Sequence, residues 1–199
     1  MKIIKPSIEF LWMTENPLKE IEKAGRICYK SESKIVEGSA EKLVTILIKR
    51  GHEAMIEHSS FSYRVVCDRG ISHEIVRHRL FSFAQESTRY CNYGKLGIKF
   101  IDPVDFELTS DDIAKLEADE IYYNKCLKQG RSPQQARYFL PHGLKTEIVI
   151  TGNIREWRNF FKLRCAPDAH PQMQEIANMI LADVKERIPI VFNEYWGTK

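Results

Sequence analysis

The chain has 199 residues, 43% of them hydrophobic and 29% charged, with a formal net charge of +3. That balance is globular rather than disordered, and the total charge is too small to argue for a polyanion partner. No apolar run reaches the ~20 residues of a membrane span. The N-terminus lacks the apolar core and cleavage site of a signal peptide. Five widely spaced cysteines, Cys28, Cys67, Cys91, Cys126 and Cys165, read as free thiols in a reducing cytoplasm.

Residues 2–12 alternate loosely and predict a first strand. Asn16-Pro17-Leu18 opens a helix, with Asn16 as cap and Leu18, Ile21, Ala24, Gly25 and Cys28 at helical spacing. A second helix is expected from Ala40 to Arg50, its stripe formed by Leu43, Ile46 and Leu47, with Gly51 closing it. In residues 59–67, Phe61, Tyr63, Val65 and Cys67 share one face of a half-buried strand. Ser72 reads as the cap of a helix over His73–Arg79. Residues 82–97 show no clean period, and 92–97 read as loop. Ile98–Ile101 predicts a short strand, Ser110 the cap of a helix through Gln129 with Gly130 behind it, and Ser132-Pro133 the start of a shorter helix ended by Pro141. Leu144–Thr151 alternates as a strand. Ile154–Leu163 is helical, with Trp157, Phe160 and Phe161 on the core side rather than stacked on a ligand. The last helix, Pro171–Arg187, carries the clearest stripe: Met173, Ile176, Ala177, Ile180, Leu181 and Val184. Strands separated by helices of varied length, without a βαβ rhythm, make this an α+β chain.

Between Arg64 and Arg89 there are five arginines and no lysine. A guanidinium is a planar fork of donors suited to phosphate and carboxylate. The segment Arg77-His78-Arg79-Leu80-Phe81-Ser82-Phe83-Ala84-Gln85-Glu86-Ser87-Thr88-Arg89-Tyr90 sets two arginines and a histidine at a helix end, then Ser87 and Arg89 in an irregular stretch. Hydroxyl and backbone donors beside arginine make a phosphate cradle, and the Gln85 amide can both donate to and accept from a flat ring. A solvated arginine-rich helix terminus, or a nucleic-acid-binding module, explains the same arginines; the small net charge and the polar Asn153–Asn159 helix fit the latter poorly. Ser87 has no adjacent histidine to act as base, so a hydrogen-bonding role is preferred to covalent attack. Cys165 is read as packing rather than as a thiolate. His52 and His58 lie six apart, where a zinc helix needs four, so no metal is expected.

Arg-His-Arg, seven residues, then Ser-x-Arg-Tyr resembles the signature of the flavin-dependent thymidylate synthases. Further blocks stand in the same order: His52-Glu53 with Glu57-His58, Glu74 three residues before Arg77, Ala136-Arg137 with Leu140-Pro141, Thr151 to Arg164, and His170 with Gln172–Ile176. The resemblance implies that family's fold, a mixed or antiparallel sheet packed with helices, as a single domain over residues 1–199. It implies conversion of deoxyuridylate (dUMP) to thymidylate with 5,10-methylenetetrahydrofolate as carbon donor and NADPH as reductant through FAD. It also implies a cytoplasmic homotetramer with shared sites, with no nucleic-acid or membrane partner. By position, His52, Arg77, His78, Arg79, Gln85, Asn153, Arg155 and Asn159 would meet FAD. Glu74, Arg77, Gln85, Ser87, Arg89, Arg137 and Arg164 would hold the nucleotide. Arg164 matches the arginine that activates the uracil. The chain departs from the pattern at Ala54, where relatives carry a hydroxyl, at Phe83 in place of a tyrosine, and in two extra residues between Arg164 and His170.

Overall fold

A computed structural model describes residues 1–193. The expected first strand over 2–12 is two strands, β1 (Lys2–Ile4) and β2 (Ser7–Met13). Pro6 lies between them and has no N–H to give a ladder. Helix α1 (Pro17–Ile27) begins at Pro17, but Asn16 sits in the left-handed region (φ 49°) and its side chain caps nothing; its carbonyl instead accepts from Lys19 and Glu20. Helix α2 is Ser39–Lys49, and its buried stripe is Ala40, Val44 and Leu47; Ile46, expected inside, is exposed. Gly51 takes the left-handed turn as expected (φ 68°), and a 3-10 turn, Glu53–His58, leads onward.

Strand β3 (Ser60–Asp68) has the expected inward face, with Phe61, Tyr63, Val65 and Cys67 fully buried. Helix α3 is Arg69–Ile75 rather than His73–Arg79. Its cap is Asp68, whose Oδ1 accepts from the Ile71 N–H at 2.8 Å, which leaves Ser72 inside the helix and buried. The unpatterned stretch contains β4 (Ser82–Gln85) and, where loop was expected, a single turn α4 (Tyr93–Leu96) capped by Asn92. Then come β5 (Lys99–Ile101) and α5 (Ser110–Lys128), whose cap is Thr109 in a capping box with Asp112 rather than Ser110. Helix α6 (Pro133–Ala136) follows, continued by a 3-10 turn at Arg137–Phe139. Strand β6 (Lys145–Asn153), α7 (Ile154–Arg164) and α8 (Pro171–Arg187) stand as expected. A last turn, α9 (Pro189–Phe192), was not foreseen.

The main sheet is antiparallel in the order β2-β3-β6-β4, and β1 and β5 form a separate parallel pair. Strand β6 alternates strictly, with Thr146, Ile148, Ile150 and Gly152 inward. Against that face pack Trp157, Phe160 and Phe161 of α7 and the α8 stripe, all buried. Phe61 and Trp157 stack with centroids 4.7 Å apart. A smaller cluster of Tyr93, Ile98, Phe100, Tyr123, Cys126, Ala136 and Leu144 joins α4, α5 and α6 to β5. The architecture is α+β, with a mixed arrangement of strands packed by helices. No helix among the described residues is long and apolar enough to cross a membrane.

One glycine fixes the segment that follows α3. A Cβ on Gly152 would stand 2.1 Å from Cδ1 of Phe81, so the ring lies where only a hydrogen fits. Gly152→Ala is expected to destabilise the protein by about 1–3 kcal/mol through overpacking. Gly143→Ala, which meets nothing within 4 Å, should cost less than about 0.5 kcal/mol. Urea unfolding of the two variants checks the difference.

Candidate active site

Helix α7 carries the centre of the site. Asn153 caps it by accepting from the Glu156 N–H at 2.9 Å. Glu156 is one turn in, 4% exposed, and borders the cavity beside α7. Its Oε2 accepts from Asn159 Nδ2 at 3.3 Å, and its Oε1 lies 3.2 Å from His78 Nδ1. The other ring nitrogen of His78, Nε2, accepts from Arg164 Nε at 3.0 Å. Arg164 then gives Nη1 to Glu74 Oε2 at 2.7 Å and Nη2 to the Glu74 carbonyl at 3.1 Å. Three residues singled out from the sequence, Glu74, His78 and Arg164, are thus joined in one hydrogen-bonded chain. Burial, and secondarily the Arg164 charge, lowers the His78 pKa from 6.5 to about 4. Burial raises that of Glu156, partly offset by the Asn159 hydrogen bond. At neutral pH the His78 contacts are therefore those of an uncharged imidazole. Both of its ring nitrogens are engaged, so its ring is held from within rather than offered to a ligand.

On the outer side of α7, Asn153, Arg155, Asn159 and Lys162 face Glu53 and Glu57 across a cavity of about 560 Å³. Arg155 is paired there, Nη1 with Glu57 at 2.5 Å and Nε with Glu53 at 3.5 Å. His52 lines an adjoining cavity of about 400 Å³ that also reaches Arg155 and Ala54. Arg77 and Arg79 point outward and, among the described residues, make no side-chain hydrogen bond or ion pair. Leu80 beside them is 75% exposed.

A second group forms around β4. The Gln85 amide nitrogen donates to Ser72 Oγ at 2.8 Å and to Thr146 Oγ1 at 3.2 Å, which fixes the amide and leaves Oε1 without a partner among the described residues. Ser87 Oγ accepts from the Arg89 N–H at 3.3 Å. Arg89 Nε donates to Gln134 at 2.9 Å, and Arg137 Nη1 donates to Thr88 Oγ1 at 2.9 Å. No hydrogen bond or ion pair among the described residues joins this group to the Glu74–Arg164 chain. Sequence reasoning passed over three residues that hold the candidate side chains, Ser72, Thr146 and Glu156, and it did not single out Arg69. Arg69 opens α3, and its Nη1 is buried with no hydrogen-bond partner among the described residues. Its only signal was membership of the lysine-free arginine run.

The thiol beside Arg164 is not primed for attack. Cys165 is 3% exposed, and burial pushes its pKa up to about 11. Cys67, at the sheet face, is raised further for the same reason. Among the described residues no group of three His, Cys, Asp or Glu side chains is placed to hold a metal ion.

Residues 9–190 match the Thy1 family, described as thymidylate synthase complementing protein. The chain belongs to this family. Relatives named flavin-dependent thymidylate synthase include one from Pyrococcus furiosus, 30% identical over 187 residues, which cover 87% of this chain and 77% of that protein. Another, from Corynebacterium aurimucosum, is 32% identical over 196 residues, covering 88% and 78%. A third, from Clostridium tetani, is 28% identical over 218 residues, covering 96% and 87%. The crystal structure of the UMP/dUMP methylase PolB from Streptomyces cacaoi, bound with 5-Br dUMP, superposes with a TM-score of 0.78 at 22% identity, covering 97% of this chain and 96% of that one. At that identity the likeness is one of fold, and it places the Thy1 chain in the expected architecture.

The lowered His78 pKa makes stability depend on pH in a defined sense. A base whose pKa drops on folding binds fewer protons when folded, so its contribution is present above the ordinary value of 6.5 and is lost as pH falls toward about 4. Glu156, raised on folding, works in the opposite sense. Urea unfolding across this window is expected to show a steeper acid loss in the wild type than in His78→Gln.

Proposed function

We infer that this Thy1 protein is a flavin-dependent thymidylate synthase that methylates dUMP to thymidylate. 5,10-Methylenetetrahydrofolate supplies the carbon, and NADPH is the reductant acting through FAD. Arg164 carries the reading. Carbon 5 of uracil is a poor nucleophile, and electron density there rises when negative charge builds on N3 and O2. A guanidinium already held in place stabilises that charge without reorganising, and one such donor is worth ~3–4 kcal/mol. Three of the five N–H groups of Arg164 are spent on His78 and Glu74, which leaves two for a pyrimidine edge. Gln85, its amide nitrogen already committed, presents an oxygen able to accept from a ring N–H. No thiolate is needed at carbon 6, in keeping with the buried and protonated Cys165.

The phosphate falls to the arginines. Arg69, with a buried and unpartnered Nη1, joins Ser87, Arg89 and Arg137 as its binding set. Arg77 is available to either ligand. The residues also fit FAD: Arg155, Asn153, Asn159 and Lys162 on one wall of the α7 cavity, the outward Arg77 and Arg79, and His52 next door match the anionic and flat parts of such a group. Bound there, FAD supplies the hydride chemistry, while the protein supplies position and field. Glu57 and Glu53 hold Arg155 in readiness. His78 contributes from beneath by holding Arg164. His52 stands where the folate and flavin rings would meet.

A homotetramer with shared sites is part of the proposal. It is supported by the outward Arg77 and Arg79 and by Leu80, Tyr90 and Tyr138, which are 75%, 78% and 85% exposed beside the residues assigned to ligands. A cytoplasmic setting is supported by five free cysteines. A single domain over 1–199 is supported by β6, which pairs into the main sheet while the adjacent Leu144 packs in the smaller cluster; residues 194–199 lie outside the described residues.

The purified protein is expected to release tritium from carbon-5-labelled dUMP, dependent on methylenetetrahydrofolate and NADPH, and to carry a yellow chromophore freed on denaturation. Arg164→Lys replaces the planar fork by a point charge. It should lower kcat by roughly 10²–10³-fold at near-normal stability, and wild-type turnover in that variant would refute the assignment. Cys165→Ala should keep turnover within about threefold. Arg69→Met should raise KM for dUMP by about tenfold or more while leaving the unfolding midpoint unchanged, since Nη1 binds nothing in the protein.

A further inference from the structure

Arg164 can only donate hydrogen bonds, because its guanidinium stays protonated in proteins. Its Nε–H points at His78 Nε2 over 3.0 Å, so that nitrogen must present a lone pair. A neutral imidazole has one N–H, which must then sit on Nδ1. Nδ1 faces Glu156 Oε1 at 3.2 Å, and Glu156 is the acceptor that this tautomer requires. The side chains of Glu156 and His78 are each only 4% exposed, so water is a poor substitute there.

We propose that Glu156 is a positioning residue for the reaction: by accepting the Nδ1–H of His78 it fixes Nε2 as an acceptor, and through it fixes the plane of the Arg164 guanidinium. The proposal rests on the catalytic reading of Arg164 given above. Glu156 and Arg164 stand eight residues apart on α7, about 12 Å along the axis, and His78 spans the gap between their side chains. The groups that face His78 are few. From α7 come Glu156, Arg164 and the Phe160 ring, from its own segment the Phe81 ring, and from α3 Glu74 by way of Arg164. Glu156 is itself held on both sides, by Asn159 at Oε2 and by the Asn153 cap at its N–H. Without an acceptor at Nδ1 that tautomer keeps the Arg164 bond but leaves a buried N–H unpaired, which offsets its advantage. A proton on Nε2, whether by tautomer exchange or by protonation in acid, sets donor against donor and turns Arg164 away. The low pKa of His78, about 4, keeps the second route closed at neutral pH.

Two variants separate positioning from mere packing. Glu156→Gln keeps an oxygen for the Nδ1–H, and Asn159 can turn its amide to meet the new NH₂. Glu156→Leu keeps the bulk and removes the acceptor. Glu156→Leu is expected to lower kcat by at least about tenfold with KM for dUMP changed less than about threefold, because the lost contact acts on charge that develops in the transition state. Glu156→Gln is expected to restore kcat to within about threefold of wild type. In the acid limb of the kcat–pH profile, Glu156→Leu should hold what activity it has to lower pH than wild type does, because removing the carboxyl partner disfavours the imidazolium. Imidazole ¹⁵N shifts of the wild-type protein, recorded without ligands, should report the proton of His78 on Nδ1, and in Glu156→Leu a mixture of tautomers. A wild-type proton on Nε2, or equal kcat in wild type and Glu156→Leu while Arg164→Lys is impaired, would overturn the proposal. Full turnover in Arg164→Lys would instead overturn the reading beneath it, and the ¹⁵N result, which needs no activity, would still stand by itself.

Discussion

A buried, uncharged imidazole joins a carboxyl group on one side to a guanidinium on the other, and the rest of the site is arranged around that join. A lone guanidinium on a helix terminus would swing among many rotamers and pair with passing anions. Held by His78 and by both the side chain and the carbonyl of Glu74, Arg164 loses that freedom during folding, before any substrate arrives. Order set in advance is what lets an electrostatic group act on a transition state without a reorganisation cost.

The fold supplies the rigidity that such a join needs. Helix α7 is clamped to the sheet by Trp157, which stacks on Phe61 and also donates its indole N–H to the Phe61 carbonyl at 3.2 Å. Phe81, resting on Gly152 and within 4.6 Å of Trp157 between centroids, ties the segment that bears His78 to that same aromatic core. The polar face of α7 is thus set by its apolar face, and Asn153, Glu156 and Asn159 have little room to drift. Toward the other end of β6, Ser72 and Thr146 do for Gln85 what Glu74 does for Arg164: they use up one end of a side chain and so orient the other.

Much of this was legible in the sequence, and the failures have physical causes. The alternation of Phe61, Tyr63, Val65 and Cys67 and the stripe of α8 are strong periodic signals, and both stand in the structure. Strand β4 has only four residues, none of them fully buried, too short for a period to show. The start of α3 was misplaced because Asp68 and Ser72 are both competent caps, and the choice depends on where β3 lets the chain turn. Of the candidate residues, Glu74, His78 and Arg164 come together, and Asn153, Arg155 and Asn159 share a cavity. Glu156 was hidden because a glutamate three residues past a capping asparagine looks like an ordinary first-turn acid. Arg69 was hidden because an unpaired buried nitrogen is a property of three-dimensional packing, not of spacing.

The central claim is that a fixed guanidinium, rather than a sulfur nucleophile, pushes electron density into the pyrimidine. It is tested most directly by ¹³C NMR of dUMP labelled at carbons 5 and 6 and bound to the flavin-loaded protein. Carbon 5 should move to higher shielding on binding while carbon 6 stays in the olefinic range, and the carbon 5 shift should shrink in Arg164→Lys. A carbon 6 resonance in the saturated range, as an added thiolate would produce, or an unchanged carbon 5, would contradict it.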